Sequence, residues 1–350
     1  MVICISEDRK SCETSVKLLV LSLVRHCPQV RIELFYPPAD ASFYAWLQRY
    51  PQVGLNVRPF AGVSGYNVKP LALLSLLEAG CDEVIWVDSD IIVARDFRHC
   101  FSNLPTDTLM AAEEALNGAY EDTEGMRARA WGFHVGRVFD HAINSCVVRV
   151  TQSHRTLLEH WRHLLESSAY QEAQKLTWSA RPAHMYGDQD VLTALLSSRE
   201  FAGVPCVFLR RGRDIVQYFG LSGYTVKERM LHMASGIPPF LHSQVYKPWL
   251  KSLPDEEKGI RQYFNRLYLD LSPYTLEARK FRSEMDEDCS WIKPRLLLGR
   301  ILRVVGLGWI PLVGLPLAAC VEIASFLKRT LKGFLRSPLY AYSLWRQQSS

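Results

Sequence analysis

Ten residues set the terms for this chain: Val84-Ile85-Trp86-Val87-Asp88-Ser89-Asp90-Ile91-Ile92-Val93. A short, nearly continuous apolar run predicts a strand buried on both faces, as in a parallel sheet covered by helices. Side chains alternate along a strand, so Asp88 and Asp90 are expected on the same side. Two carboxylates at the carboxyl end of such a strand face the crevice where open α/β sheets take their ligands. Held side by side they repel unless a cation lies between them. A hard divalent ion with oxygen ligands, Mn²⁺ or Mg²⁺, suits the pair. Asp188–Asp190 and Asp286–Asp288 repeat the Asp-x-Asp spelling without a buried strand around it. Only the first copy is expected to form a metal–diphosphate site.

The flanking segments agree with a sheet. Met1–Ser6 reads as a first strand, and Ser11–Cys27 as a helix with Val16, Leu19, Val20, Leu23 and Val24 on its apolar face. Arg31–Tyr36 is a second strand closed by Pro37-Pro38, Ser42–Arg49 a short helix and Leu55–Phe60 a third strand. Lys69–Ala79 is a helix ended by Gly80, which brings in the Asp88 strand as the fourth. This alternation predicts an α/β fold, a Rossmann-like and mostly parallel sheet with helices on both faces.

Downstream, Thr108–Ala112 and Ile143–Val150 read as strands. Between them an acidic stretch (Glu113, Glu114, Glu121, Asp122, Glu124) lacks hydrophobic periodicity and predicts a loop of about twenty residues, a length typical of lids. An amphipathic helix over 153–168 carries His154, His160 and His163 as surface or packing groups. Gly187-Asp188-Gln189-Asp190 leads into a helix over Val191–Ser197, and Phe201–Leu209 is a late strand. Asp255–Leu269 is an amphipathic helix, followed by a charged linker to Asp288.

The 350 residues leave room for one large domain and an appendage, divided as 1–251, a helical and linker segment 252–294, and a tail 295–350. The net charge of +5 matters through its placement. Arg295, Arg300, Arg303, Lys328, Arg329, Lys332, Arg336 and Arg346 crowd the tail, which points to a membrane surface and away from nucleic acid. Val304–Val321 carries no charge over 18 residues but is broken by Pro311, Pro316 and three glycines. With basic residues at both ends, an in-plane or re-entrant segment suits it better than a span; the alternative is a buried helix pair. Nine cysteines without paired spacing predict a reducing compartment, and the missing Cys-x-x-Cys argues against structural zinc. The start of the chain does not read as a signal peptide, so the main domain is expected in the cytoplasm, peripheral or monotopic on the inner face of a membrane.

Three further clusters fit the Asp88–Asp90 site. His242-Ser243-Gln244-Val245-Tyr246-Lys247-Pro248-Trp249 offers a nitrogen ligand and a cation for a phosphate oxygen. Asp188 and Gln189 stand at a loop-to-helix junction where polar side chains reach a sugar, and Asn144-Ser145 opens a strand. Together, and in this order, these motifs resemble glycosyltransferase family 8, of the GT-A fold, over residues 1–251. The resemblance implies Mn²⁺ (or Mg²⁺) held by Asp88, Asp90 and His242, with Lys247 on the diphosphate. It places Asn144, Asp188 and Gln189 on the donor sugar, Asp188 and Gln189 in positioning and electrostatic roles near the anomeric carbon. Glu7 or Asp8 would lie near the nucleotide base, and Lys69 joins the donor-binding set. The implied donor is a nucleotide sugar, a UDP-hexose transferred with retention to a glycan or lipid-linked acceptor. Trp131, on the 113–134 loop, would help close over it. Two features depart from the family pattern: Cys146 replaces the usual Gly, and only four residues, none of them Gly, separate His242 from Lys247. A haloacid-dehalogenase-type phosphohydrolase would start with its acidic strand and carry Thr or Val where Ile92 stands. A nucleotidyltransferase would carry a Gly-rich phosphate loop. A catalytically decayed membrane scaffold conflicts with the intact Asp88, Asp90, His242 and Lys247.

Overall fold

The alternating apolar segments assemble into a seven-stranded sheet in the order β3-β2-β1-β4-β7-β6-β8. Its strands are β1 (Val2–Ser6), β2 (Arg31–Phe35), β3 (Val53–Asn56), β4 (Glu83–Val87), β6 (Leu109–Glu113), β7 (Ile143–Thr151) and β8 (Cys206–Leu209). The computed structural model describes residues 1–38, 40–57, 60, 65–114, 122–217, 224–244, 247–250, 260–285, 289–293, 297–305 and 312–335. They group into two compact units: Met1–Gln217 with Pro238–Gln244 and Glu277–Asp288, and Tyr218–Ile237 with Val245–Leu276 and Cys289–Ser350.

In the first unit β1 runs parallel to β2 and β4, and β2 to β3, as the β-α alternation predicts. The helices between them are α1 (Glu13–His26), α2 (Ala41–Leu47) and α3 (Lys69–Glu78). Pro70 sits in the first turn of α3, where its missing N–H is harmless, and Gly80 takes the left-handed φ of 87° that ends it. β7 then runs antiparallel to both β4 and β6, and β6 runs parallel to β8. Val2, Cys4, Val84 and Trp86 pack on one face against α3, α5 (Arg155–Glu166) and α7 (Asp188–Ser197). Their neighbours Ile3, Ile5, Ile85 and Val87 are fully buried on the other.

The single strand expected over 84–93 is two. β4 ends at Val87, and β5 (Ile91–Val93) joins a separate three-stranded sheet in the order β5-β10-β9, with β9 (Ile215–Val216) and β10 (Phe240–His242). The apolar pattern reports burial, and Ile91, Ile92 and Val93 are as buried in the small sheet as they would be in the large one. Two other strands are shorter than expected: β3 stops at Asn56, with 58 and 59 outside the described residues, and β8 begins only at Cys206, after a turn.

The long loop also differs. Residues 115–121 lie outside the described residues, but 122–134 is packed structure around α4 (Met126–Ala130). Arg127 is fully buried between Asp122 (3.3 Å) and Asp190 (2.8 Å). Trp131 donates its indole N–H to the His184 carbonyl at 3.2 Å and rests on the main core, so it is an anchor and not a free lid residue. The charged stretch before Asp288 is likewise docked: Phe281 is buried beneath Arg25, and Glu284 pairs with Arg25 at 2.6 Å.

The second unit is helical. α9 (Ile260–Asp270), α11 (Leu297–Val305) and α12 (Leu315–Leu335) share a core of Leu267, Tyr268, Leu271, Val313, Leu317 and Ala318 with Leu302 and Val321 packed on it. α8 (Val226–Ser235) lies beside α12, whose Glu322 accepts the Val226 N–H at 2.6 Å, an acid at a helix N-terminus. Trp249 and Tyr274 lie 5.7 Å apart between ring centres, and Trp249 and Trp291 6.4 Å apart. Among the described residues no helix is long and apolar enough to cross a membrane, and residues 306–311 of the interrupted apolar run lie outside them.

Candidate metal centre

Strand direction gathers the site. β1, β4 and β6 all run toward one edge of the large sheet and β7 runs away from it. The ends of β1, β4 and β6 therefore meet the start of β7, which places Glu7, Asp88, Glu114 and Asn144 along one rim. The Asp88 N–H donates to the Cys146 carbonyl at 2.8 Å, and a turn closed by Ile91 N–H on the Asp88 carbonyl (3.1 Å) carries the chain to β5. β10 pairs antiparallel with β5, setting His242 opposite Ile91. Asp88, Asp90 and His242 thereby come together, one ligand atom from each within 4.8 Å of the others. His242 Nε2 is 3.3 Å from Asp90 Oδ1. The two acids converge because they flank a turn, not because they alternate on a strand, and His242 ends β10. Two carboxylates and an imidazole suit Mn²⁺ or a similar divalent ion. The buried Nδ1 of His242, which makes no hydrogen bond among the described residues, fits a ring with a further partner to find.

Behind the acids lies Lys69, at the head of α3 and 3% exposed. Its Nζ is 3.1 Å from Asp88 Oδ1, 3.3 Å from Asp188 Oδ2 and 2.8 Å from Ser145 Oγ. Burial alone pushes the amine down, but Asp188 and Asp88 more than offset it, holding the Lys69 pKa above its ordinary value. Lys69 stays a cation. Burial raises the Asp188 carboxyl, opposed by Lys69 and by the Ser145 hydroxyl, which donates to it at 2.7 Å. The Asp188 carbonyl accepts the Trp161 indole N–H at 2.9 Å, fixing the start of α7. Asp88 is further held by the Trp86 indole N–H at 2.6 Å.

A second cluster centres on Glu114, buried just after β6. Its Oε2 accepts Asn144 Nδ2 at 2.7 Å and Gln244 Nε2 at 2.8 Å, with Gln189 Nε2 at 3.5 Å. Sequence reasoning left Glu114 in the acidic loop. Its place directly after a strand, the position Asp88 also holds, was the available signal. Ser145 and Gln217 were likewise not singled out as site residues on their own. Gln217 follows Val216, the register partner of Leu241, so it neighbours His242 across the small sheet. It is fully buried, and neither end of its carboxamide has a hydrogen-bond partner among the described residues.

Glu7 is buried, and its carboxylate accepts from Arg9 Nε (2.8 Å), Arg9 Nη2 (2.9 Å) and Ser89 Oγ (2.6 Å), tying β1 to the Asp88–Asp90 turn. Asp8 is exposed and accepts the Gly65 N–H at 2.7 Å. Lys247 belongs to the second unit, where its carbonyl accepts the Leu250 N–H at 3.0 Å. Burial pushes the Cys146 thiol well up, so it stays protonated and inert.

Asp190, beside the site, has its carboxyl raised by burial, against the pull of Arg127, from the ordinary 3.8 to about 6. Between about pH 4 and 6 the folded chain therefore holds more protons than the unfolded one. The contribution of Asp190 favours the folded state at low pH and is lost as pH rises through 6. Asp190→Asn removes it. Urea melts at pH 4.5 and 6.5 are expected to show stability rising more, or falling less, over that interval in the variant than in the parent. The expected difference is on the order of 1–3 kcal/mol; identical slopes would show that Asp190 titrates like an exposed acid.

No family model matches the sequence, and no curated protein does. Solved structures do. The apo structure of the bifunctional glycosyltransferase WbbM aligns over 80% of this chain with a TM-score of 0.51 and 14% identity, and the match spans 51% of that protein. Galactosyltransferase LgtC, solved with donor and acceptor sugar analogues, aligns over 81% of this chain and 100% of its own, with a TM-score of 0.47 and 16% identity. GlyE of Streptococcus pneumoniae aligns over 81% of this chain and 63% of its own, with a TM-score of 0.44 and 16% identity. This chain thus spans about half the length of WbbM, and the likeness to it is one of architecture. Its seven-stranded α/β sheet flanked by helices is the fold of a GT-A glycosyltransferase.

Proposed function

We propose that the chain is a metal-dependent hexosyltransferase that moves a sugar from a nucleotide diphosphate, a UDP-hexose with retention, to a glycan or lipid-linked acceptor. The observation that carries this reading is the meeting of Asp88, Asp90 and His242 at the rim of a glycosyltransferase-type sheet, backed by the buried Lys69. Asp88, Asp90 and His242 would hold Mn²⁺ or Mg²⁺. When bound, the ion neutralises the negative charge that grows on the diphosphate as the sugar–phosphate bond breaks.

The chain's own residues do the rest. Trp86 and Lys69 fix the Asp88 carboxylate in one orientation, so little reorganisation is left for the reacting complex. Glu114 holds the amides of Asn144 and Gln244, presenting a preset polar wall to the sugar. Asp188 and Gln189 position the sugar near the anomeric carbon, and Lys247 meets the diphosphate. Glu7 and Asp8 border the space for the base. With no strong nucleophile assigned beside the anomeric carbon, the acceptor hydroxyl attacks from the face the diphosphate leaves. The basic tail brings the site to the cytoplasmic face of a membrane, where lipid-linked acceptors lie.

Screening the purified chain with Mn²⁺ against a panel of nucleotide sugars tests this. One UDP-hexose is expected to raise the melting temperature only with the metal, and to release UDP slowly. A preference for phosphate monoesters would instead indicate a phosphohydrolase, and no response at all a scaffold.

A further inference from the structure

Helix α8 is packed inside out. It turns Glu228, Arg229 and His232 toward the protein and leaves Met230, Leu231 and Met233 exposed at 53%, 43% and 39%. Hydrogen bonds hold this orientation. The Thr225 hydroxyl accepts the Glu228 N–H at 3.2 Å, and the Glu228 carboxylate accepts the Thr225 N–H at 2.8 Å, a capping box that fixes the first turn. The Tyr224 hydroxyl lies 2.9 Å from His232 Nδ1. The Arg229 guanidinium donates to the carbonyls of Tyr224 and Val313 and lies over the Tyr224 ring. Rolling the helix to bury its methionines would break the bonds from Arg229 to the Val313 carbonyl and from the Val226 N–H to Glu322, and would leave those groups unsatisfied. The apolar face outward is the face this packing selects.

An apolar helix face with nothing on it among the described residues marks a contact surface. Its chemistry is set by what surrounds it in the same unit. On α12, packed beside α8, Ile323, Phe326 and Leu327 are each more than half exposed, with Lys328 exposed next to them. On α11, Leu297, Ile301 and Val304 form an exposed stripe at helical spacing, and Arg300 is exposed beside it. α8 adds an exposed Lys227. From Cys289 onward the sequence has nine Lys or Arg and a single acid, Glu322. That acid is engaged at the N-terminus of α8. A protein partner could answer the apolar side chains, but apolar faces flanked by the exposed Lys227, Arg300 and Lys328 match an anionic lipid surface.

We propose that α8 is a bilayer-contacting helix, with Met230, Leu231 and Met233 entering the boundary between headgroups and acyl chains of an anionic leaflet. This rests on the reading that the chain works at a membrane, and it adds to the tail a helix from outside it.

The test floats the full chain with vesicles of phosphatidylcholine alone and with phosphatidylserine added. The parent protein is expected to float with the anionic vesicles. The triple variant Met230→Gln, Leu231→Gln, Met233→Gln, which changes only outward side chains, is expected to bind them about tenfold more weakly or worse. Hydrogen exchange over 226–235 in the parent is expected to slow with anionic vesicles and not with neutral ones. If the parent binds neither vesicle, the membrane reading fails and this proposal with it. If the parent binds and the triple variant binds equally, with exchange over α8 unchanged, the proposal alone fails and the tail remains the anchor. A parent dimer that the triple variant converts to monomer, vesicle binding unaltered, would assign the face to a second copy of the chain and overturn the proposal.

Discussion

Asp90→Ala is expected to abolish the thermal shift produced by Mn²⁺ with UDP, and to lower donor cleavage by about 10³-fold, the scale on which loss of charge stabilisation at a reacting phosphate is felt. The fold should survive. The backbone contact that places Asp90, its carbonyl accepting the Ser243 N–H at 3.0 Å, is untouched by the substitution. Removing one of two neighbouring carboxylates also relieves repulsion in the metal-free protein. Asp88 is the worse probe, because its loss would strip a partner from the buried Lys69 and from Trp86 at the same time. Mn²⁺ binding by equilibrium dialysis, read alongside the melting curve, separates affinity from stability. An unchanged metal-dependent shift in Asp90→Ala would remove the metal site and the sugar-transfer reading built on it.

Arg127→Ala is expected to cost about 3–5 kcal/mol of stability, measured by urea unfolding at pH 8. Arg127 has no exposed side-chain surface and lies between two carboxylates as buried as itself, Asp122 and Asp190. Its backbone N–H also donates to Asp122 at 3.1 Å, while the second oxygen of Asp122 accepts from Ser197 and that of Asp190 from the Gly187 N–H. Taking away the cation leaves two acids in a low-dielectric interior with their hydrogen bonds half intact. They escape by taking up protons, so the loss should shrink at pH 5, where Asp190 is already largely protonated. The triple replacement Arg127→Met, Asp122→Asn, Asp190→Asn should recover most of the loss, since no charge is then stranded. A penalty below about 1 kcal/mol for Arg127→Ala alone would mean that the segment around α4 opens easily, and that Trp131 is a lid residue after all.

The sheet-building half of the chain was legible because each element there carries its own signal. β1 through β4 alternate with helices, Gly80 marks a helix end, and the acids at 88 and 90 stand out against an apolar run. His242 was found by its company in sequence, and the fold brings it to those acids. What escaped is what depends on pairing across the chain. Nothing in residues 84–93 says that their second half belongs to another sheet, because periodicity measures burial and both sheets bury it equally. Arg127 looked like part of a surface loop because its partners are Asp122, near it, and Asp190, 63 residues further on. Glu114 read as one more acid in an acidic stretch until the amides of Asn144 and Gln244 were found on it. α8 could not be read as inverted from its sequence, since a helix wheel shows two faces without saying which one the protein keeps.

The break between β4 and β5 divides the three candidate ligands between two sheets. Asp88 hangs from the end of the large sheet, while His242 ends a strand of the small one and Asp90 leads into that strand's neighbour. An ion held by all three would be a rivet through two separate ribbons of backbone, so filling the centre would also tighten the protein around it. Chelation would then loosen the small sheet, and the ability to take a nucleotide and the rigidity of that corner of the molecule would rise and fall together.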